Sequence, residues 1–269
     1  MHPIFIMRYT TFLPFVAKSV PPPLPKRGLA GLVELGVWET VAARAAWYHN
    51  WNLVPYSTRV PHVPFLWGKR WGPYADNLQA AVKILGRDYA GPLLWLNEPN
   101  DAAQSNMAYD EAAQFYIDTR AALPHAQLIG PNMAIVGATK WAQDASWLRL
   151  FVARVNALTG RYPQFAAMAV HNYTGNVAEH KRLHRDWQNL LGSLGYADHP
   201  LWVSEWGVDN RRADAEEVTA ELAQFYDEHS AKHAYYINAG SDDSFAVPVS
   251  LQQQPAWDSL SATGRGWVR

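Results

Sequence analysis

The sequence contains no cysteine. That absence excludes disulfides, zinc–thiolate sites and a thiol nucleophile. It leaves the compartment open, because a chain with a large enough core can dispense with disulfides. Charge is scarce too: 17% of residues are Asp, Glu, Lys or Arg, and the formal net charge is −1. No summed field draws such a chain to nucleic acid or to an anionic membrane, and a neutral substrate fits it best. No G-x-G-x-x-G or P-loop sequence follows an early strand, which disfavours a nucleotide-binding sheet, and no H-E-x-x-H pattern is present. The apolar stretch at residues 1–17 is too short to span a membrane, and Arg8 interrupts it, making it a poor signal peptide. Met7 offers an alternative start.

What is present is a globular composition. The chain has 269 residues, 49% of them hydrophobic, which suits one α/β barrel. Trp is abundant, with 13 residues beside 13 Tyr and 9 Phe. Indole rings stack on the apolar faces of sugars, so the excess suits a carbohydrate cleft; core packing is the other use of so large a side chain. Pro21-Pro22-Pro23-Leu24-Pro25 reads as a stiff spacer. The expected organisation is an N-terminal extension over 1–25 and a single domain over 26–269.

The dominant rhythm is a short apolar run, a turn and an amphipathic stretch, which argues for parallel strands covered by helices. Eight strands are expected: Gly28–Leu32, Ala43–Trp47, Val63–Trp67, Leu93–Asn97, Gln127–Pro131, Ala167–His171, Leu201–Glu205 and Ala234–Asn238. Helical spacing predicts Tyr74–Leu85, Asp110–Leu123, Trp141–Leu158, Leu183–Leu194 and Ala215–His229, the last with Asp214 as N-cap. Eight strands in a chain of this length predict a (β/α)8 TIM barrel, in which chemistry gathers at the C-terminal strand ends.

Two apolar runs end in a carboxylate. Leu93–Leu96 leads into Asn97-Glu98-Pro99-Asn100, and Leu201–Ser204 leads into Glu205-Trp206-Gly207. Two carboxylates facing each other across a cleft are what glycosidic cleavage requires, one protonating the leaving oxygen and the other attacking the anomeric carbon. Trp67, closing the third strand, and Trp206 are candidate stacking platforms, with packing under the rim as the other reading of Trp206. Asn132, after the fifth strand, is a candidate for sugar hydroxyls or a turn former. His180 and His184 have metal-ligand spacing without a third ligand and are expected on a solvated helix face. Asp242-Asp243 reads as a loop.

Asn97-Glu98-Pro99 and Ser204-Glu205-Trp206-Gly207 resemble the signature of clan A glycoside hydrolases. Other stretches are similar to glycoside hydrolase family 128, the small-barrel endo-β-1,3-glucanases: Lys26–Ala30, Trp47-Tyr48-His49-Asn50-Trp51, Val63–Gly68 and Gln104–Met107. Tyr48 and His49 depart from the second-strand pattern, and Tyr235–Asn238 lacks the eighth-strand Trp. The resemblance implies Glu98 as acid/base, Glu205 as nucleophile, and Asn97 on the sugar 2-hydroxyl. It also implies substrate contacts from Asn50, and His171 and Tyr173 orienting the nucleophile while touching substrate. A Tyr173 hydroxyl donating to Glu205 would favour the ionised nucleophile, and Glu98 is expected in a drier setting that keeps its proton.

The expectation is a retaining, extracellular, monomeric hydrolase of internal β-1,3-glucosidic bonds. It would need no cofactor and no metal, and would bind a neutral polysaccharide or oligosaccharide, with no nucleic acid or membrane partner. The alternatives are another β-linked polysaccharide (mannan, galactan, xylan) or a carbohydrate-binding barrel without catalysis.

Overall fold

The computed structural model describes residues 24–31, 44–56, 60–69, 72–135, 137–174, 176–209, 211–236 and 260–269. Eight strands appear where eight apolar runs stand: β1 (Leu24–Ala30), β2 (Ala45–His49), β3 (Phe65–Leu66), β4 (Pro92–Trp95), β5 (Gln127–Ile135), β6 (Ala167–Asn172), β7 (Leu201–Trp206) and β8 (Lys232–Tyr236). All neighbours are parallel, in the order β2-β1-β8-β7-β6-β5-β4-β3. The approach to β3 returns to β2: Tyr48 N donates to Pro61 O at 2.9 Å, and Val63 N to Tyr48 O at 2.8 Å. The resulting Tyr48–His62 bridge joins the two edge strands and closes the ring. The architecture is a (β/α)8 barrel.

A helix follows each of the last six strands: α1 (Tyr74–Leu85), α2 (Tyr109–Ala122), α3 (Trp141–Thr159), α4 (Val177–Ser193), α5 (Ala215–His229) and α6 (Ala262–Val268). The outward strand residues pack against them. Trp95, for example, sits among Phe115, Tyr116, Phe151 and Phe165. The inner layer is a separate cluster in which Ala30, Ala167, Ala169 and Ala234 leave room for Trp47, Phe65 and Trp202. Small residues opposite large ones fill a tapering barrel without a pore.

Three details differ from expectation. β1 starts at Leu24, inside the proline spacer, and pairs there with Ala45 of β2. Asp214 occupies the N-cap of α5 but makes no capping bond; it accepts from Arg212 at 2.9 Å instead. α4 begins at Val177, six residues before Leu183, because Asn176 caps it by accepting from Glu179 N at 2.8 Å. The longer helix places His180, Leu183, His184, Trp187, Leu190 and Leu191 on one buried stripe. His180 and His184 therefore face the core, not solvent. His180 Nδ1 meets Tyr226 Oη at 2.9 Å, and His184 Nε2 meets His229 O at 3.2 Å. Burial lowers their pKa values to about 3 and about 4. Residues 1–23, Ile237-Asn238 and Asp242-Asp243 lie outside the described residues.

Gly28 shows how tightly the inner layer is filled. A Cβ there would lie 2.3 Å from Trp47 Cε2, against a rigid ring. Gly28→Ala is expected to destabilise the barrel by about 1–3 kcal/mol through overpacking. A thermal melt followed by circular dichroism reads the lowered midpoint, and an unchanged midpoint would contradict the packed interior.

Candidate active site

Alternation along a strand carries each inner face from the barrel floor to its C-terminal rim. Trp47 leads to His49 and Trp51, whose rings touch in sequence. Phe65 leads to Trp67, Ala167 and Ala169 to His171, and Ala234 to Tyr236. β7 breaks the rule. Val170 pairs with Val203, but His171 pairs with Glu205, so Ser204 is an extra residue in β7. This bulge turns both Ser204 and Glu205 inward and sends Trp206 out. Ser204 Oγ donates to Asn132 Oδ1 at 2.6 Å inside the barrel. Trp206 is completely buried under the rim, among Tyr226, Tyr235 and His233, and its Nε1 donates to His233 Nδ1 at 3.1 Å. It is a packing residue and no platform for a ligand.

Glu98 reaches the rim through a contorted strand end. Leu96 and Glu98 both have positive φ, 64° and 40°. L residues hold such angles only where their surroundings fix them. Here Leu96 N donates to Leu66 O, Asn97 N to Trp67 O and Glu98 N to Asn132 O, at 2.7–2.9 Å.

His171 stands between the two carboxylates. Its Nδ1 lies 2.7 Å from Glu98 Oε1, and its Nε2 3.4 Å from Glu205 Oε1. An oxygen of Glu98 and one of Glu205 lie within 4.8 Å of each other. Burial does not separate the glutamates, which are 6% and 5% exposed, so the expected drier setting of Glu98 is not found. Their partners separate them. Glu205 accepts from Trp51 Nε1 at 2.5 Å and from Tyr173 Oη at 3.0 Å. Glu98 is held by His171.

Burial pushes the Glu205 carboxyl up to about 7, and the Glu98 charge adds to this; the His171 charge and the bonds from Trp51 and Tyr173 pull the other way. Burial draws the His171 imidazole down, yet Glu205, together with the hydrogen bond and charge of Glu98, outweighs it and leaves its pKa raised. Burial and the nearby carboxylates lift the Tyr173 phenol well above its usual range, so it remains a donor. Behind them, burial takes His49 down to about 3. As a neutral ring it donates from Nε2 to Ser204 O at 2.9 Å.

Glu98, His171 and Glu205 are also the one group of ligand-type side chains close enough to surround a cation among the described residues. His171 spends Nδ1 on Glu98 and turns Nε2 toward Glu205, so its ring links the two carboxylates.

The other expected site residues divide. Asn97 is buried beside Glu98, and its Oδ1 accepts nothing from the described residues, while Nδ2 reaches Gln104 Oε1 at 3.4 Å. Trp67 is half-buried at the rim. Asn50 is committed to its own loop, donating to Val54 O and accepting from Asn52 N and His62 Nε2. Asn132 donates to Trp95 O and Ile129 O. The Asn132 amide is fully engaged inside the barrel, while Asn50, 4% exposed, ties its own loop. Trp51 was readable only as part of the Trp47–Trp51 stretch; its position two residues beyond His49 on the inner face was the signal for its rim placement. Tyr236 packs against both Glu205 donors, with ring centroids 5.6 Å from Trp51 and 5.9 Å from Tyr173.

An NMR titration of carboxyl-labelled protein should find Glu205 titrating near 7. Trp51→Phe removes a donor to the ionised form, so the midpoint should move up. A midpoint near 4.5, unmoved by the substitution, would contradict this geometry.

The sequence profile of the glycosyl hydrolase catalytic core matches residues 33–239. No curated protein matches the sequence. Among solved structures, the chain is similar to a glycoside hydrolase family 128 (subgroup II) endo-β-1,3-glucanase from Sorangium cellulosum, at 23% identity and TM-score 0.66, over 90% of this chain and 97% of that one. It is similar to a subgroup I endo-β-1,3-glucanase from Amycolatopsis mediterranei in complex with laminaritriose, at 19% and 0.65, over 91% and 98%. It is also similar to a subgroup III curdlan-specific exo-β-1,3-glucanase from Blastomyces gilchristii in complex with glucose, at 22% and 0.64, over 92% and 99%. At these identities the likeness is one of fold. The profile spans most of the chain, including both rim glutamates, and the chain accordingly belongs to the glycosyl hydrolase catalytic-core family and is a glycoside hydrolase.

Proposed function

We propose that the chain is a clan A enzyme of the family 128 kind, hydrolysing internal β-1,3-glucosidic bonds with retention of configuration. The observation that carries the mechanism is the closeness of the two carboxylates, with oxygens within 4.8 Å. Retaining enzymes place their carboxyl groups about 5–5.5 Å apart, whereas inverting ones leave about 6.5–9.5 Å for a water. The laminaritriose complex of the Amycolatopsis relative and the curdlan specificity of the Blastomyces relative support the substrate class.

In this reading Glu205, ionised and aimed by Trp51 and Tyr173, attacks the anomeric carbon. Glu98 delivers the proton it shares with His171 to the departing oxygen. It then takes a proton from the water that releases the glycosyl-enzyme. As the bond to Glu205 forms, its negative charge is consumed, and His171 compensates whichever carboxylate carries charge at that moment. Asn97, buried beside Glu98 with no partner on Oδ1 among the described residues, is the residue assigned to hydrogen-bond the sugar 2-hydroxyl.

Incubation with linear β-1,3-glucan, mixed-linkage glucan, xylan, mannan and galactan, read as reducing ends, should show release from β-1,3-glucan. Proton NMR of the first product should show the β-anomer; α-anomer first would mean inversion and overturn the mechanism. kcat/KM should rise with pH as Glu205 ionises, placing the acid limb near 7 in the free enzyme, and should fall at higher pH when the shared proton is lost. A limb near pH 4 would remove Glu205 as the perturbed nucleophile.

A further inference from the structure

We propose that Asn100, seated by Asp144, is a positioning residue that holds the Glu98 turn to β5 and so aims the acid/base. The inference rests on the assignment of Glu98 above.

The β4–β5 ladder continues past Trp95: Asn132 N donates to Leu96 O at 2.9 Å, and Glu98 N to Asn132 O at 2.7 Å. The next residue, Pro99, has no N–H to extend it. The chain leaves the sheet in a turn, with Asp101 N donating to Glu98 O at 3.1 Å. The Asn100 side chain takes over the pairing. Its Nδ2 donates to Ala134 O at 2.7 Å, and its Oδ1 accepts from Ala134 N at 3.0 Å. An amide thereby makes the two bonds that a neighbouring strand would make. The second Nδ2 hydrogen goes to Asp144 Oδ1 at 2.7 Å.

Asp144 is fully buried in the first turn of α3, where a negative charge suits the helix end. Its Oδ1 accepts from the Asn100 amide, and Oδ2 has no partner among the described residues. So costly a group is committed to one task, orienting this amide.

The positive φ values of Leu96 and Glu98 explain why the tie matters for chemistry. The backbone N–H groups of Leu96, Asn97 and Glu98 anchor the strained segment on its upstream side. Asn100 is its downstream anchor on β5. With that anchor gone, Glu98 stays in the cleft but loses its fixed line to the leaving oxygen. Glu205 is untouched, because β7, Trp51 and Tyr173 hold it independently. Loss of the clamp should therefore impair proton delivery and spare nucleophilic attack.

Leaving-group dependence separates these. kcat/KM, which reads steps up to the glycosyl-enzyme, is to be measured on laminaritetraose, whose leaving sugar needs a proton. It is compared with a 2,4-dinitrophenyl β-laminaribioside, whose leaving group does not. Asn100→Ala and Asp144→Ala should lose about 10–100-fold on the oligosaccharide, the scale of a mispositioned catalytic group, and less than about threefold on the aryl substrate. Asp144→Asn keeps an oxygen acceptor and should restore the oligosaccharide rate. Glu98→Ala should show the same contrast more strongly. Equal losses on both substrates, or none on either, would overturn the clamp. Absence of the contrast in Glu98→Ala itself would instead overturn the acid/base assignment beneath it. Should Asp144→Ala fail to fold, Asn100→Asp, which removes the donor, reads the same contrast.

Discussion

Two carboxylates buried with oxygens within 4.8 Å of each other cannot both carry charge without compensation. His171, wedged between them with a nitrogen turned toward each, supplies it. In the proposed reaction the same imidazole serves both carboxylates, one through each ring nitrogen. Without it, either glutamate would neutralise the other's usefulness. The asymmetry that chemistry needs comes from donors, since burial is nearly equal on the two sides. Trp51 and Tyr173 both point at Glu205, and Tyr236 packs against both.

The barrel serves this cluster by bending its own rules in two places. In β7 an extra residue rotates Glu205 inward and buries Trp206 outside the ring. At the end of β4, positive φ at Leu96 and Glu98 swings the other carboxyl over the rim. Each departure is fastened locally: Ser204 to Asn132 across the interior, and Asn100 to Ala134 along β5. β1 and β5 also shift register, between Leu24 and Gly28 and between Ile129 and Asn132, and small inner residues make room for Trp47 and Trp202.

These departures mark where the sequence was legible and where it was not. Apolar runs ending in glutamate at 98 and 205 placed both carboxylates on one rim, and all eight strands overlap the runs that announced them, with β1 beginning four residues early at Leu24. The helix α1 matches its 3.6-residue spacing end to end. Alternation alone would have turned Glu205 away from the barrel and Trp206 into it, since nothing in Leu201–Trp206 announces a bulge. Asn50 and Asn132 look like sugar-binding amides in sequence. Only the folded chain shows those amides already spent on Val54, Trp95 and Ile129. His180 and His184 look solvated in sequence because the cap at Asn176 lies seven residues upstream of the expected start, and the longer helix it opens places both on the buried stripe.

The central claim is that Glu205 becomes covalently bonded to the sugar. It is tested most directly by incubating the enzyme with an activated 2-deoxy-2-fluoro β-laminaribioside and mapping the adduct by peptide mass spectrometry. The account predicts one stable glycosyl ester, on Glu205. An adduct on Glu98, or none while the enzyme still turns over β-glucan, would contradict it.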